Sequence, residues 1–249
     1  MVENIIWRPS PNYDQRGSGT PIDMLVLHYT GMPTANGALD RLTDEASKVS
    51  AHYLVREDGQ ILALVKEEMR AWHAGVASWR GADNINARSI GVEIVNPGHE
   101  FGYRAFPAEQ MVAVTALANG IVTRHAIPAR NVVGHSDVAP DRKEDPGELF
   151  PWQALARTGV GLWYAEDTVV SQECISLASG EQGANVFAVQ KALKEIGYHV
   201  VVNGIYDAKL TNIVRAFQRH WRPSCVDGNA DEETQAIIYA VLAEVRRLT

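Results

Sequence analysis

The sequence predicts an α/β (α+β) fold, with a central mixed β-sheet flanked by helices and a small three-helix domain after it. Three observations carry this. Short apolar, β-branched runs recur through residues 1–164 with helical patterns between them, the interleaving expected of a sheet covered by helices. A stretch of Glu, Asp, Ser and Gly without periodicity follows at 165–181 and reads as a linker. Beyond it, residues 182–249 hold three amphipathic helical patterns, enough for a bundle with its own core.

Taken in order, residues 1–21 are rich in Pro, Ser, Asn and Gly and read as an irregular lead-in. Ile22 to Tyr29 is a near-continuous apolar run, as expected of a central strand covered on both faces. His28 stands at its C-terminal end, where open α/β sheets place ligands. After Gly31 and Pro33, residues 35–46 carry Ala, Leu and charges at helical spacing. Val49 to Val55 predicts a strand, and Asp58-Gly59 is a strong hairpin signal leading into Gln60–Val65. Trp72-His73-Ala74-Gly75 and the polar stretch to Arg88 read as a long surface loop.

Ser89 to Val95 is again a strand. Glu93 is embedded in it, and Gly91 and Val95 on the same face are not polar, so its carboxylate is expected to be buried and to need a partner. A helix is predicted from Pro107 to about His125. Pro107 suits a first turn, and Met111, Val114, Leu117, Ala118, Ile121 and Val122 form one apolar stripe. Val132-Val133 ends a further strand, and a loop crowded with ionisable groups runs from His135 to Gly147. Pro140 and Pro146 stiffen that loop, since neither can donate a backbone hydrogen bond. Leu149–Ala156 is a short amphipathic segment. In the last part, Val186, Val189, Leu193 and Ile196 define a helix ended by Gly197. Leu210, Ile213, Val214, Phe217 and Trp221 define the second, and Ile237, Ile238, Val241, Leu242 and Val245 the third. Asn203-Gly204 and Asp227-Gly228 read as turns between them.

Composition excludes several classes. The chain has 249 residues, 46% hydrophobic and 21% charged, ordinary for a globular protein. A formal charge of −7 argues against a nucleic-acid binder, which would show a basic face. No apolar run approaches the ~20 residues that a transmembrane helix needs. The start, Met1-Val2-Glu3-Asn4-Ile5-Ile6-Trp7, lacks the basic residues and long apolar centre of an export signal. As written, the chain is expected in the cytoplasm, with the periplasm or envelope as the alternative. Cys174 and Cys225 fit no C-x-x-C spacing, which excludes a zinc ribbon or redox pair. Free buried thiols are the expectation and a single disulfide the alternative. Oligomeric state is not legible.

The chemical residues then sort themselves. His99, His125, His199 and His220 lack partners in sequence and read as surface or satisfied core groups. His28 and His135 each end a strand pattern, and a sheet can bring two strand ends together. With Asp145, across a stiff loop from His135, they make two imidazoles and one carboxylate. That composition, with a fourth position open, is expected of a catalytic zinc site. Zinc in such a set makes water more acidic and polarises a carbonyl. Glu93 fits the general base and later acid. Lys143, otherwise a solvated loop residue, stands two before Asp145 and is placed to stabilise an oxyanion.

Five motifs in order over about residues 5–160 together resemble the zinc-dependent N-acetylmuramoyl-L-alanine amidases of AmpD/AmiD type. They are Leu25-Val26-Leu27-His28-Tyr29-Thr30, Val49-Ser50-Ala51-His52-Tyr53-Leu54-Val55, Ala71-Trp72-His73-Ala74-Gly75, Ser89-Ile90-Gly91-Val92-Glu93-Ile94, and Gly134-His135 through Lys143, Asp145 and Gly147. The resemblance implies one zinc on His28, His135 and Asp145, Glu93 as the catalytic glutamate, and Lys143 as the transition-state lysine. It implies hydrolysis of the amide between N-acetylmuramic acid and L-alanine in peptidoglycan or muropeptides. Trp72, His73, Asn86 and Arg88 lie in matching loops and are expected to contact the muropeptide. His52 lines or supports the cleft. One departure stands out. The related phage amidases and animal peptidoglycan-recognition proteins have a tyrosine where this chain has Ala51, so Glu93 should carry the base role alone.

The C-terminal segment also resembles a family. Val189-Gln190-x-x-Leu193, Gly197-Tyr198, Asn203-Gly204-x-Tyr206-Asp207, Ala216-Phe217-Gln218, Val226-Asp227-Gly228 and Thr234 look like a three-helix peptidoglycan-binding domain. The alternative is a helical interaction module for another partner. For the whole chain, two further readings stay open: a peptidoglycan-recognition protein that binds without cutting, and a zinc peptidase that cuts within the stem peptide. A wall-binding domain favours the envelope, while the absence of a leader favours recycling of soluble fragments.

Overall fold

The computed structural model describes residues 5–165 and 175–248. In chain order the catalytic part has strands β1 (Ile6–Trp7), β2 (Tyr13–Gln15) and β3 (Met24–Tyr29), helix α1 (Ala35–Thr43), and strands β4 (Tyr53–Val55), β5 (Ile61–Ala63), β6 (Met69–Ala71), β7 (Ser78–Trp79) and β8 (Ala82–Asp83). Then come α2 (Ile85–Arg88), β9 (Ser89–Ile94), α3 (Gly98–Phe101), α4 (Ala108–His125), β10 (Val132–Gly134), α5 (His135–Val138) and α6 (Trp152–Ala156). The last part is α7 (Ala184–Ile196), α8 (Ala208–Trp221) and α9 (Glu232–Arg247). No described helix is long and apolar enough to cross a membrane.

The main sheet is mixed and runs β1-β5-β4-β9-β3-β10. β3 lies between parallel β9 and β10, β4 is parallel to β9, and β5 turns back antiparallel to β4 through Asp58-Gly59, where Gly59 has a φ of 81°. Alternation along the strands gives each face its own work. Leu25 and Leu27 of β3, Ile90, Val92 and Ile94 of β9 and Val132 of β10 pack with Val114, Leu117, Ala118 and Ile121 of α4. Each of the larger of these side chains contributes roughly 1.5–3 kcal/mol on burial. Met24, Val26 and Val133 serve the opposite face and join a cluster that continues into the helices after residue 183. By the same parity His28 and Glu93 lie on this second face, away from α4.

Several elements differ from the sequence reading. The lead-in is not wholly irregular: β1 extends the main sheet beside β5, and β2 pairs with β6. The stretch 72–88 is not a surface loop. It holds the β7–β8 hairpin and α2, and Ala74, Trp79 and Ile85 are buried. Burial of these few apolar residues, spaced without a period, overrode the polar composition around them. Pro107 caps α4 rather than entering its first turn, and the helix ends on Ala126 with a left-handed φ of 51°. The expected stripe faces the core, joined by Gln110, whose Nε2 donates to the carbonyls of Val55 and Val95 at 3.2 and 2.9 Å. The three C-terminal helices stand where expected, with Asp207 and Asp231 capping α8 and α9 through their carboxylates. Cys174 lies outside the described residues, and so therefore does its pairing with Cys225.

Those C-terminal helices pack on the catalytic part rather than apart from it. The Arg80 amide donates to the Gly197 carbonyl at 2.7 Å, and the rings of Trp79 and Tyr198 meet edge to face. Gly197 permits this: a Cβ there would stand 2.6 Å from the Trp79 ring.

Candidate active site

β3 and β9 are paired so that His28 is opposite Glu93. β10 runs on the other side of β3 and passes directly into α5, whose first residue is His135. The backbone amide of Ser136 donates to the Asp145 carbonyl at 2.9 Å, which folds the proline-braced loop back onto α5. Three strand or helix ends thereby deliver His28, Glu93, His135 and Asp145 to one place.

His28 Nδ1 lies 3.0 Å from His135 Nδ1, and Asp145 Oδ2 lies 2.9 Å from the first and 3.0 Å from the second. All three residues are buried, and together they form a group able to hold a metal ion. Their outer hydrogen bonds decide which atoms carry protons. Ser89 Oγ gives its one proton to the Ile85 carbonyl at 2.7 Å, so it accepts from His73 Nε2 at 3.1 Å. His73 Nδ1 is then an acceptor, and His28 Nε2 donates to it at 3.0 Å. That leaves His28 Nδ1 as a lone pair. Likewise His135 Nε2 donates to the Ala74 carbonyl at 3.0 Å, leaving its Nδ1 as a lone pair. Two lone pairs and a carboxylate oxygen converge with no proton among them. Such an arrangement is repulsive alone and fits a cation, and orienting partners on the far ring nitrogens are the usual support of metal-binding imidazoles.

Electrostatics agree with this assignment. Burial, reinforced by His135, lowers the His28 pKa to about 4, so the ring is neutral. Glu93 moves the other way: burial, and then the charge of Asp145, push its pKa well above normal, with Lys143 opposing. Its Oε2 is buried without a hydrogen-bond partner. A carboxyl so placed beside a group able to hold a cation is suited to take and return a proton.

A cavity of about 340 Å³ opens onto these groups, and Trp72, His73, Lys143, Arg41 and Arg142 share its walls with His28, Glu93, His135 and Asp145. The Trp72 Nε1 is buried without a partner. Two residues expected at the substrate are placed elsewhere. Asn86 Oδ1 accepts from the amides of His73 and Ala74 at 3.1 and 2.8 Å, holding the segment that carries His73. Arg88 pairs through two nitrogens with both oxygens of Asp23 and does not line the cavity. His52 is a support. It accepts from the Gly91 amide at 2.9 Å and lies behind the His73 ring.

Sequence reasoning missed Ser89, Gly91 and Arg41. Gly91 leaves the space that His73 fills, since a Cβ there would stand 2.4 Å from the ring. A glycine inside a β-branched run was the available signal. His99, read as a surface group, stands at the cavity wall, where it bonds Tyr29 Oη and pairs with Glu148. His125 pairs with Glu67, and His220 is buried against Asp137, so both are satisfied as expected.

A three-residue cage for a cation beside an unpaired, buried carboxyl, in a cleft at the strand ends of a mixed sheet, defines a hydrolase site. The family profile described as N-acetylmuramoyl-L-alanine amidase matches residues 18–148, and a profile for a peptidoglycan-binding domain matches 182–238. The chain belongs to the N-acetylmuramoyl-L-alanine amidase family and is a hydrolase of the amide between N-acetylmuramic acid and L-alanine.

Relatives match most of the chain or a little over half of it. The amidase AmiD of Escherichia coli (strain K12) is 38% identical over 233 residues, covering 89% of this chain and 82% of that protein. The 1,6-anhydro-N-acetylmuramyl-L-alanine amidase AmpD of Citrobacter freundii is 35% identical over 161 residues, 58% of this chain and 84% of its own length. Among solved structures, the complex of E. coli AmiD with anhydro-N-acetylmuramic acid-L-Ala-D-γ-Glu-L-Lys superposes with a TM-score of 0.79 at 36% identity over 92% of both chains. AmpDh3 of Pseudomonas aeruginosa bound to anhydromuramic pentapeptide gives 0.76 at 33% identity over 96% of both.

Proposed function

We propose that this amidase holds one zinc ion on His28 Nδ1, His135 Nδ1 and Asp145, and that it releases the stem peptide from anhydro-muropeptides and related wall fragments. The observation that carries this is the convergence of two imidazole lone pairs and a carboxylate oxygen within 2.9–3.0 Å of one another. Two imidazoles, one carboxylate and an open side toward the cavity favour zinc in a catalytic setting. Zinc, when bound there, supplies Lewis acidity to the scissile carbonyl and to water.

The chain's own residues then divide the remaining work. Glu93, with its raised pKa and unpartnered Oε2, takes a proton from the attacking water and returns it to the leaving L-alanine nitrogen. Lys143 lines the same cavity and makes no salt bridge among the described residues, so its ammonium is free to meet the oxyanion. Trp72 lines the cavity that receives the muropeptide, and His73 keeps His28 in the required tautomer. Arg88 and Asn86 act on the fold, not on substrate. The C-terminal helices attach the enzyme to peptidoglycan.

Mass spectrometry of anhydro-N-acetylmuramyl peptides incubated with the zinc-loaded protein tests this reading. The expected products are the free sugar and a peptide beginning with L-alanine, and a chelator should stop their release. Cleavage inside the stem peptide would make the protein a peptidase. Binding without products would make it a recognition protein.

A further inference from the structure

α5 carries His135 at its first position and Asp137 at its third. Asp137 is 1% exposed, and its carboxylate has three donors. One is local: the Gly134 amide donates to Oδ2 at 2.7 Å. The other two come from the C-terminal part: Tyr198 Oη, just after α7, donates to Oδ1 and His220 Nδ1 of α8 to Oδ2, both at 2.7 Å. The His220 ring cannot swing away, because it is stacked between Trp152 at 3.9 Å and Trp221 at 4.2 Å. Next to it on α8, Arg219 Nη2 bonds Glu144 Oε1 at 2.5 Å. Glu144 immediately precedes Asp145. The helices thus grip the ligand loop at two points, one beside each of its two ligands.

Apolar packing alone would attach the two parts. A buried carboxylate with two donors from the neighbouring part is a costlier device, since each missing donor leaves charge unsatisfied. It is placed where its effect is felt, because α5 is a single rigid turn closed by the Ala139 amide on the His135 carbonyl at 3.0 Å. The Ser136 amide on the Asp145 carbonyl passes the same constraint to the second ligand.

We propose that the C-terminal helices are part of the catalytic unit. Tyr198 and His220 act through Asp137, and Arg219 through Glu144, as positioning residues for His135 and Asp145, in addition to any attachment of the enzyme to the wall. This rests on the ligand set proposed above.

The test measures zinc affinity by competition with a chelating dye, the visible spectrum of the cobalt-substituted protein, and kcat and KM on a soluble anhydro-muropeptide, all in the full chain. Tyr198→Phe and His220→Leu should each weaken zinc binding, by up to about 10-fold, the lower end of the cost of losing a partner bonded directly to a metal ligand. They should shift the cobalt bands and lower kcat with KM nearly unchanged. His220→Asn, which can return a donor near the position of Nδ1, should restore much of the affinity. Val241→Ala, a cavity in the helical core, should lower the melting temperature and leave zinc affinity unchanged. Should His220→Leu fail to fold, Tyr198→Phe, which removes one hydroxyl, decides. Unchanged zinc affinity and cobalt spectrum in folded Tyr198→Phe, with wild type holding one zinc, would overturn the bracing role alone. Equal loosening by Val241→Ala would overturn it too, as a mere effect of stability. A wild-type protein that takes up no zinc would overturn the ligand set itself.

Discussion

The imidazoles of His28 and His135 face each other through their Nδ1 atoms at 3.0 Å, and the hydrogen bonds on their far nitrogens assign the protons away from this pair. Each ring has committed its one N–H outward, His28 to His73 and His135 to the Ala74 carbonyl. The facing lone pairs are therefore a consequence of the second row of contacts. On the His28 side that row ends at a serine hydroxyl on the first residue of β9, bonded back to the turn before it.

Gly91 holds this row open. In Gly91→Ala the new methyl carbon would stand 2.4 Å from the His73 ring and force it aside. The expected outcome is a loss of roughly 1–3 kcal/mol in denaturant unfolding, with zinc binding weakened through the disturbed His28 tautomer. Unchanged stability together with unchanged zinc affinity would show that His73 does not orient His28.

Arg88 separates fold from site. Its two-point pairing with Asp23 joins the end of α2 to the residue just before β3. Arg88→Ala should lower stability by roughly 1–3 kcal/mol while KM for a muropeptide stays within about twofold, because the side chain does not line the cavity. A large rise in KM without loss of stability would restore the substrate contact expected from sequence.

That case shows where sequence was legible. His28, Glu93, His135 and Asp145 could be found because strand ends and a proline-stiffened loop announce themselves in residue type and order. Asn86 and Arg88 lie close in sequence to motif residues, and closeness in sequence does not say which way a side chain turns. Ser89 and Gly91 act on the site through contacts with His73, sixteen and eighteen positions away, which no periodicity encodes. The β7–β8 hairpin was hidden because its strands are two residues each, too short for an alternation to appear. The grip of His220 on Asp137 joins α8 to α5 across 83 positions and leaves no local trace.

His52 gives a pH dependence of known sign. Burial, and then the nearby charge of Arg16, lower its folded pKa from the ordinary 6.5 to about 3. Between those values the unfolded chain binds a proton that the folded chain does not, so stability is fully present above pH 6.5 and falls as the pH drops toward 3. The slope approaches ~1.4 kcal/mol per pH unit for this one group. Denaturant titrations of zinc-free protein at pH 7.5 and 5 should show the loss, and a His52→Gln variant should show less of it. Equal stability of the wild type at both values would contradict the neutral, buried state.

Lys143 is expected to act on the transition state and not on the metal. Lys143→Ala should lower kcat by about 10²–10³-fold, as loss of one oxyanion donor does, with zinc stoichiometry unchanged. Loss of zinc from this variant would make the lysine part of the loop's structure instead.

Glu93 is where a proposed cation site and a neighbouring buried carboxyl divide the hydrolysis between them. The direct measurement is paired: turnover of an anhydro-muropeptide and zinc content in Glu93→Gln, which keeps the shape of the side chain and removes its basicity. Turnover should fall by about 10²–10⁴-fold with one zinc retained per chain. Near-normal turnover would remove Glu93 from the chemistry, and loss of zinc along with activity would make it a support of the metal rather than the base.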